Sequence, residues 1–205
     1  MLSASFNLCN LPPWAIASRH FNRHPQRLEI QGVRQANRRL FAHLDGLNDP
    51  GERGGYFHDY MDVTFQLHQW AGETTASARK SLKNSYLRFL RGWMFDSNSR
   101  EGAVLKGWVE SRFGLPPTFH RETIRDIHGE AYFRYLVDRM QGSARTSAIN
   151  SQLDVLFEFV QYELARCHPE RTHFTLYRGI NDLDEHLILK RSEERRVGKE
   201  CRSRW

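Results

Sequence analysis

The chain has 205 residues, 40% hydrophobic and 12% aromatic, which suits a packed interior and excludes a disordered chain. Half of its formal charge of +6 lies in the last fifteen residues, which hold six of the 30 basic and three of the 24 acidic residues, so a pI near 9.5 gives no argument for nucleic acid. Three cysteines without a C-x-x-C pair argue against a disulfide framework. No basic and apolar leader is visible at the start, and no run approaches the ~18 apolar residues of a membrane span. A cytoplasmic protein is expected, long enough for one sizeable domain or one domain and part of another.

Helical periodicity runs from the start to about residue 168. Pro12-Pro13 can open a short first helix, since proline suits the first turn. Val33, Asn37, Leu40, Phe41, Leu44 and Leu47 share one helical face, and Asp49-Pro50-Gly51 breaks the chain after them. Phe57, Tyr60, Met61, Leu67 and Trp70 predict a further helix. Leu82, Tyr86, Phe89, Leu90 and Trp93 form the next stripe. Asp96-Ser97-Asn98-Ser99 reads as a turn and cap. Val104, Gly107 and Trp108 follow, up to Gly114 and Pro116-Pro117, and Tyr132, Phe133, Leu136 and Met140 continue the pattern. The longest stripe, Ile149, Leu153, Leu156, Val160 and Leu164, stops near Cys167-His168-Pro169. Trp14, Trp70, Trp93 and Trp108 are expected to anchor the core.

The period then changes. His173 to Gly179 alternates with β-prone types and predicts a strand, and His186 to Lys190 can start another. The fold class expected is therefore α+β: a helical region over residues 1–170, then the first strands of a β core over 171–190. Residues 191–205 (RSEERRVGKECRSRW) resemble the translation of a sequencing-library adapter and are read as a foreign tail, so the natural C-terminus is expected to be missing.

No Walker loop, G-x-G-x-x-G or G-x-S-x-G is present. His20 and His24 have chelating i, i+4 spacing, but no third ligand is placed to complete a site, so no metal is expected. Arg34, Arg38 and Arg39 cluster on one predicted helix, and Arg88 and Arg91 on another. Both sets read as solvated faces or as docking surfaces for an acidic partner. The sharpest local element is Leu176-Tyr177-Arg178-Gly179. A strand-end guanidinium can grip a diphosphate through two parallel hydrogen bonds, and the glycine after it lets a ligand approach the backbone.

Longer strings carry more information: NLPPWAIASRHFN at 10–22, LEIQGVRQANRRLF at 28–41, SLKNSYLRFLRGW at 81–93, DSNSREGAVLKGWVESRFGL at 96–115, QLDVLFEFVQYELAR at 152–166 and LYRGIND at 176–182. Over residues 10–190 the chain resembles the dinitrogenase reductase ADP-ribosyltransferases. The resemblance implies transfer of ADP-ribose from NAD to an arginine of dinitrogenase reductase, the nitrogenase iron protein. It also implies control by a PII-type signalling protein. Tyr177, Arg178 and Gly179 would then hold NAD. Arg178 matches the first element of an Arg…Ser…Glu pattern, in which the glutamate faces the cationic sugar as nicotinamide leaves.

The rest of that pattern is not met by natural residues. Ser192, Ser203, Glu193, Glu194 and Glu200 belong to the adapter-like tail, while Asp182, Asp184 and Glu185 follow the strand too closely. The catalytic glutamate is expected in the missing part, which makes this chain an inactive fragment. A helical regulatory or docking module without chemistry is the alternative.

Overall fold

The computed structural model describes residues 7–67, 85–144, 146 and 148–170. Pro12, extended, leads into α1 (Pro13–Ile16), and the Ser18 hydroxyl accepts from the Phe21 N–H to cap α2 (Arg19–Arg23). The chain then runs extended to Ile30, which pairs with Cys9 in an isolated antiparallel bridge. Gly32, at a φ of 78°, turns it into α3 (Val33–Ala36). Asn37 interrupts the helix before α4 (Arg38–Asp45).

Asp49 ends this arm and caps the next: its carboxylate accepts from the Glu52 N–H at 2.8 Å, with Pro50 as first residue of α5 (Pro50–Phe65). Then come α6 (Tyr86–Phe95) and α7 (Arg100–Phe113), the latter capped by Ser99 and closed by Gly114 in the left-handed region. A short hairpin, β1 (Phe119–His120) and β2 (Glu122–Thr123), turns on Arg121 at a φ of 60°. It leads to α8 (Glu130–Ser143) and α9 (Ile149–Cys167).

Helices α6, α7 and α8 pack side by side, and α9 lies against α3, α5 and α6. The main core joins Leu40 and Leu44 of α4, Met61 of α5, Phe89 of α6 and Leu153 of α9. A second cluster seals Cys9, Ile30 and Phe113, and a third sits under the hairpin at Ala103, Ile124 and Tyr135. No described helix is long and apolar enough to cross a membrane.

The expected α+β class is overturned. The described residues are 65% helical, and their only β pairing is the two-residue hairpin and the Cys9–Ile30 bridge. Neither reaches the three or more strands that an independent β core needs. The expected strands over 171–190 lie outside the described residues.

Several apolar assignments are also corrected. Trp14 is 77% exposed and Trp93 half-exposed, so neither is a buried anchor, and Trp70 lies outside the described residues. On α8, Phe133 and Met140 face solvent, while Tyr135 and Asp138 turn inward. On α9, Val160 and Leu164 are on the wet side, because the inward face also carries Gln152, Asp154 and Glu158.

Candidate functional site

The inward polar groups of α9 each hold a different part of the molecule. The Gln152 carbonyl oxygen accepts from the Tyr86 N–H at 2.9 Å, at the start of α6. Asp154 accepts from the Trp108 indole at 2.7 Å and takes both arms of the Arg112 guanidinium, at 2.7 and 2.9 Å. Glu158, with no exposed surface, accepts from the Ile30 N–H at 2.8 Å and pairs with Arg34 at 3.1 Å. Glu163 takes Arg53 in a fork at 2.6 and 2.8 Å, and the other arm of Arg53 donates to the Leu47 and Asn48 carbonyls. These pairs are framework: each acceptor is filled by its own partner.

Two further polar groupings lie away from α9, and the first of them lines a cavity. His120, buried on the hairpin, lies 3.0 Å from Asp138 through Nε2 and 3.3 Å from the Lys106 ammonium through Nδ1. An ammonium can only donate, so Nδ1 accepts and Nε2–H donates to Asp138. Burial holds the His120 pKa below its ordinary value, against the raising effect of Asp138. Asp138 also receives Arg121 at 2.9 Å. Behind the hairpin, Glu110 accepts from the Tyr132 and Tyr135 hydroxyls and from Arg139. Burial, and then the Glu110 hydrogen bond, push the Tyr132 hydroxyl up to about 12, and burial raises that of Tyr135 as well. His120, Arg121, Arg134 and Asp138 line a cavity of about 490 Å³. Its guanidiniums are committed: Arg121 to Asp138, and Arg134 to Glu122 and Glu130. It offers no spare fork for a diphosphate.

The larger cavity, about 610 Å³, is apolar and opens between α6 and the segment after α7. Trp93, Trp108, Leu115, Pro116 and Pro117 form much of its wall, and among the described residues Lys106 is the one charged residue that lines it.

The sequence-derived candidates fare unequally. Tyr177, Arg178 and Gly179 lie outside the described residues, as do Asp182, Asp184, Glu185 and residues 191–205. The His20 and His24 rings stand 5.0 Å apart, and no group of three or more metal-ligating side chains occurs among the described residues. Arg34, Arg38 and Arg39 do not share one helix. Arg34, on α3, turns inward to Glu158 and lies over the Phe41 ring at 4.9 Å, whereas Arg38 and Arg39, on α4, are exposed. Arg88 pairs with Glu101 at 2.8 Å. The Asp154, Glu158 and His120–Asp138 pairings escaped sequence reasoning. Asp138, Asp154 and Glu158 all lie off the apolar stripes of their helices, so no local signal marked them as inward.

Comparison with known proteins defines the class as ADP-ribosyltransferase. A family model described as dinitrogenase reductase ADP-ribosyltransferase matches residues 6–200. The match includes the first ten residues of the adapter-like segment. The chain is also similar to the NAD(+)--dinitrogen-reductase ADP-D-ribosyltransferase of Rhodospirillum rubrum. The two are 42% identical over 197 residues, covering 94% of this chain and 71% of the relative. No solved structure matches. The chain belongs to the dinitrogenase reductase ADP-ribosyltransferase family.

Proposed function

We propose that the protein transfers ADP-ribose from NAD to an arginine of dinitrogenase reductase, and so switches off nitrogenase in the cytoplasm under control of a PII-type protein. The observation that carries this reading is the 42% identity, over nearly the whole chain, to a relative that bears that activity in its name.

Tyr177, Arg178 and Gly179 are the proposed NAD-holding residues. The guanidinium would take the diphosphate through two parallel bonds, and Gly179 would leave backbone groups open to the ligand. NAD supplies the ADP-ribosyl group, and its breakdown needs a fixed carboxylate near the sugar. After Arg178 the acidic residues are Asp182, Asp184 and Glu185, close behind it, and Glu193, Glu194 and Glu200 in the adapter-like segment. The division at 1–170, 171–190 and 191–205 follows from the same reading, and the 205-residue chain is proposed to be inactive.

The test is incubation with labelled NAD and dinitrogenase reductase. The 205-residue chain should transfer no label. The chain with residues 191–205 replaced by the C-terminal residues of the Rhodospirillum rubrum relative should label an arginine. Failure of the extended chain to label would overturn the proposed activity. Labelling by the 205-residue chain at a similar rate would instead show that a carboxylate already present serves.

A further inference from the structure

The β1–β2 hairpin has two residues in each strand, too little pairing to hold itself together. Its turn residue, Arg121, sits at a φ of 60°, which a residue with a Cβ keeps only where its surroundings impose it. Those surroundings are α7, α8 and the turn before α7. Lys106 of α7 donates to the Phe119 carbonyl at 2.9 Å. Asn98 accepts from the Arg121 N–H at 3.0 Å. Asp138 of α8 takes the Arg121 guanidinium at 2.9 Å. The buried His120 ring lies between Lys106 and Asp138 and touches both.

The same hairpin helps to wall both cavities. Phe119 lines the apolar one, and His120, Arg121 and Glu122 line the polar one. A movement of the hairpin therefore reshapes both.

The setting of His120 fits the neutral ring alone. Nδ1 faces an ammonium, which has no lone pair to offer, and Nε2–H faces a carboxylate. An imidazolium carries a proton on each nitrogen and would set one of them against Lys106. The other charges around the ring add to that repulsion. Arg121 on the hairpin and Arg100 of α7 both already draw on Asp138, the latter at 3.7 Å. Glu122 is taken by Arg134 of α8 at 2.8 Å. Tyr135 of α8 meets the ring edge-on at 5.7 Å, and burial keeps its hydroxyl protonated. The repulsion falls on the ammonium that also ties the Phe119 carbonyl, so the hold on the ring and the hold on the backbone weaken together.

We propose that His120 is an acid-released latch: protonation of its ring frees residues 119–123 from α7 and α8 while the helices remain folded, and so opens a wall of each cavity. The latch is independent of the transfer reaction proposed above. Burial lowers the closed-state pKa of His120, so the closed hairpin is fully favoured above the open-state value of about 6.5 and loses favour as pH falls through the lower value. At about pH 5.5, one unit below the open-state value, a single proton can favour opening by at most about tenfold.

Amide hydrogen exchange of the 205-residue chain, followed by NMR and corrected for intrinsic rates, reads the latch directly. The Arg121 and Ile124 N–H groups, bonded to Asn98 and to the Thr118 carbonyl, report the hairpin. Their protection should fall at least about threefold between about pH 7.5 and 5.5, and should lie below that of α9 at both values, as for a local opening. A smaller fall, or protection equal to that of α9, would overturn the latch. The nitrogen shifts of the His120 ring should show the Nε2–H tautomer at pH 7.5 and a midpoint below about 6.5. A ring already charged at pH 7.5, or a midpoint at or above the ordinary value, would also sink it. In His120→Gln, whose carboxamide can donate and accept but not titrate, hairpin protection should no longer change with pH, whether high or low. The same pH-dependent fall in that variant would assign the effect to another group. Should the variant not fold, the wild-type exchange and ring titration decide the matter by themselves.

Discussion

Glu158 divides its carboxylate between a backbone N–H of the extended arm and the Arg34 guanidinium, and none of its surface is exposed. Removing it would leave an amide and a cation without partners in the interior. Glu158→Ala should cost about 3 kcal/mol in urea unfolding, as expected for breaking a buried pair. His120 behaves differently because it is kept neutral. Its folded pKa is depressed, so the unfolded chain takes up the proton first as pH falls. Its contribution is fully present above the unfolded value of about 6.5 and is lost as pH falls through the lower, folded value. Protonation would also place an Nδ1–H against the Lys106 ammonium. The loss of stability between about pH 7.5 and 5.5 should therefore be smaller in His120→Gln than in the wild type, as measured by urea midpoints. At Arg178 the relevant quantity is NAD affinity. In the extended chain, Arg178→Lys keeps the charge but loses the fork, and NAD binding by calorimetry should weaken by roughly tenfold or more.

Helix boundaries were the most legible part of the sequence, because local chemistry sets them. Asp49-Pro50, Ser99 and Gly114 each carry the side chain or backbone freedom that a helix end needs, and each stands at one. Inward faces were less legible. On α9 the apolar stripe pointed to Val160 and Leu164, yet the buried face includes Gln152, Asp154 and Glu158. Such residues read as solvent-facing unless their partners, far away in sequence, are known. The α+β expectation failed for a related reason: periodicity over a few residues says nothing about what pairs with them. The proposed NAD residues rested on a four-residue local signal that the family resemblance strengthened, and the described residues do not include them. Glycines in α7 invert the usual propensity rule. A Cβ on Gly102 would lie 2.3 Å from the Ser97 carbonyl oxygen, and that backbone cannot swing aside as a side chain can. Gly102→Ala should lower stability by about 1–3 kcal/mol through overpacking, despite a helix-propensity gain of up to about 1 kcal/mol. A lower thermal midpoint would show it, and a higher one would refute the close approach.

Among the described residues of the whole molecule, α9 makes side-chain hydrogen bonds both to the N-terminal arm and to the α6–α7 pair. Loss of residues 149–167 should unfold the rest rather than trim it, with native helix signal lost from the remaining chain by circular dichroism. Residues 191–205, with Val197, Cys201 and Trp205 as their only large apolar side chains, should be dispensable by comparison. Ending the chain at Lys190 should leave the unfolding free energy from urea titration within about 0.5 kcal/mol of the parent.

The partners of α9 have a further consequence, for the order in which the protein is made. Arg53 is synthesised 110 residues before Glu163, and Ile30 128 residues before Glu158. At translation rates of roughly 5–20 residues per second, the gap is on the order of 5–25 s. During that interval the first helices emerge from the ribosome with apolar faces and cations whose complements do not yet exist. The nascent N-terminal arm should therefore depend on holding chaperones, and slowing translation between codons 60 and 150 should raise aggregation more than slowing it after codon 167.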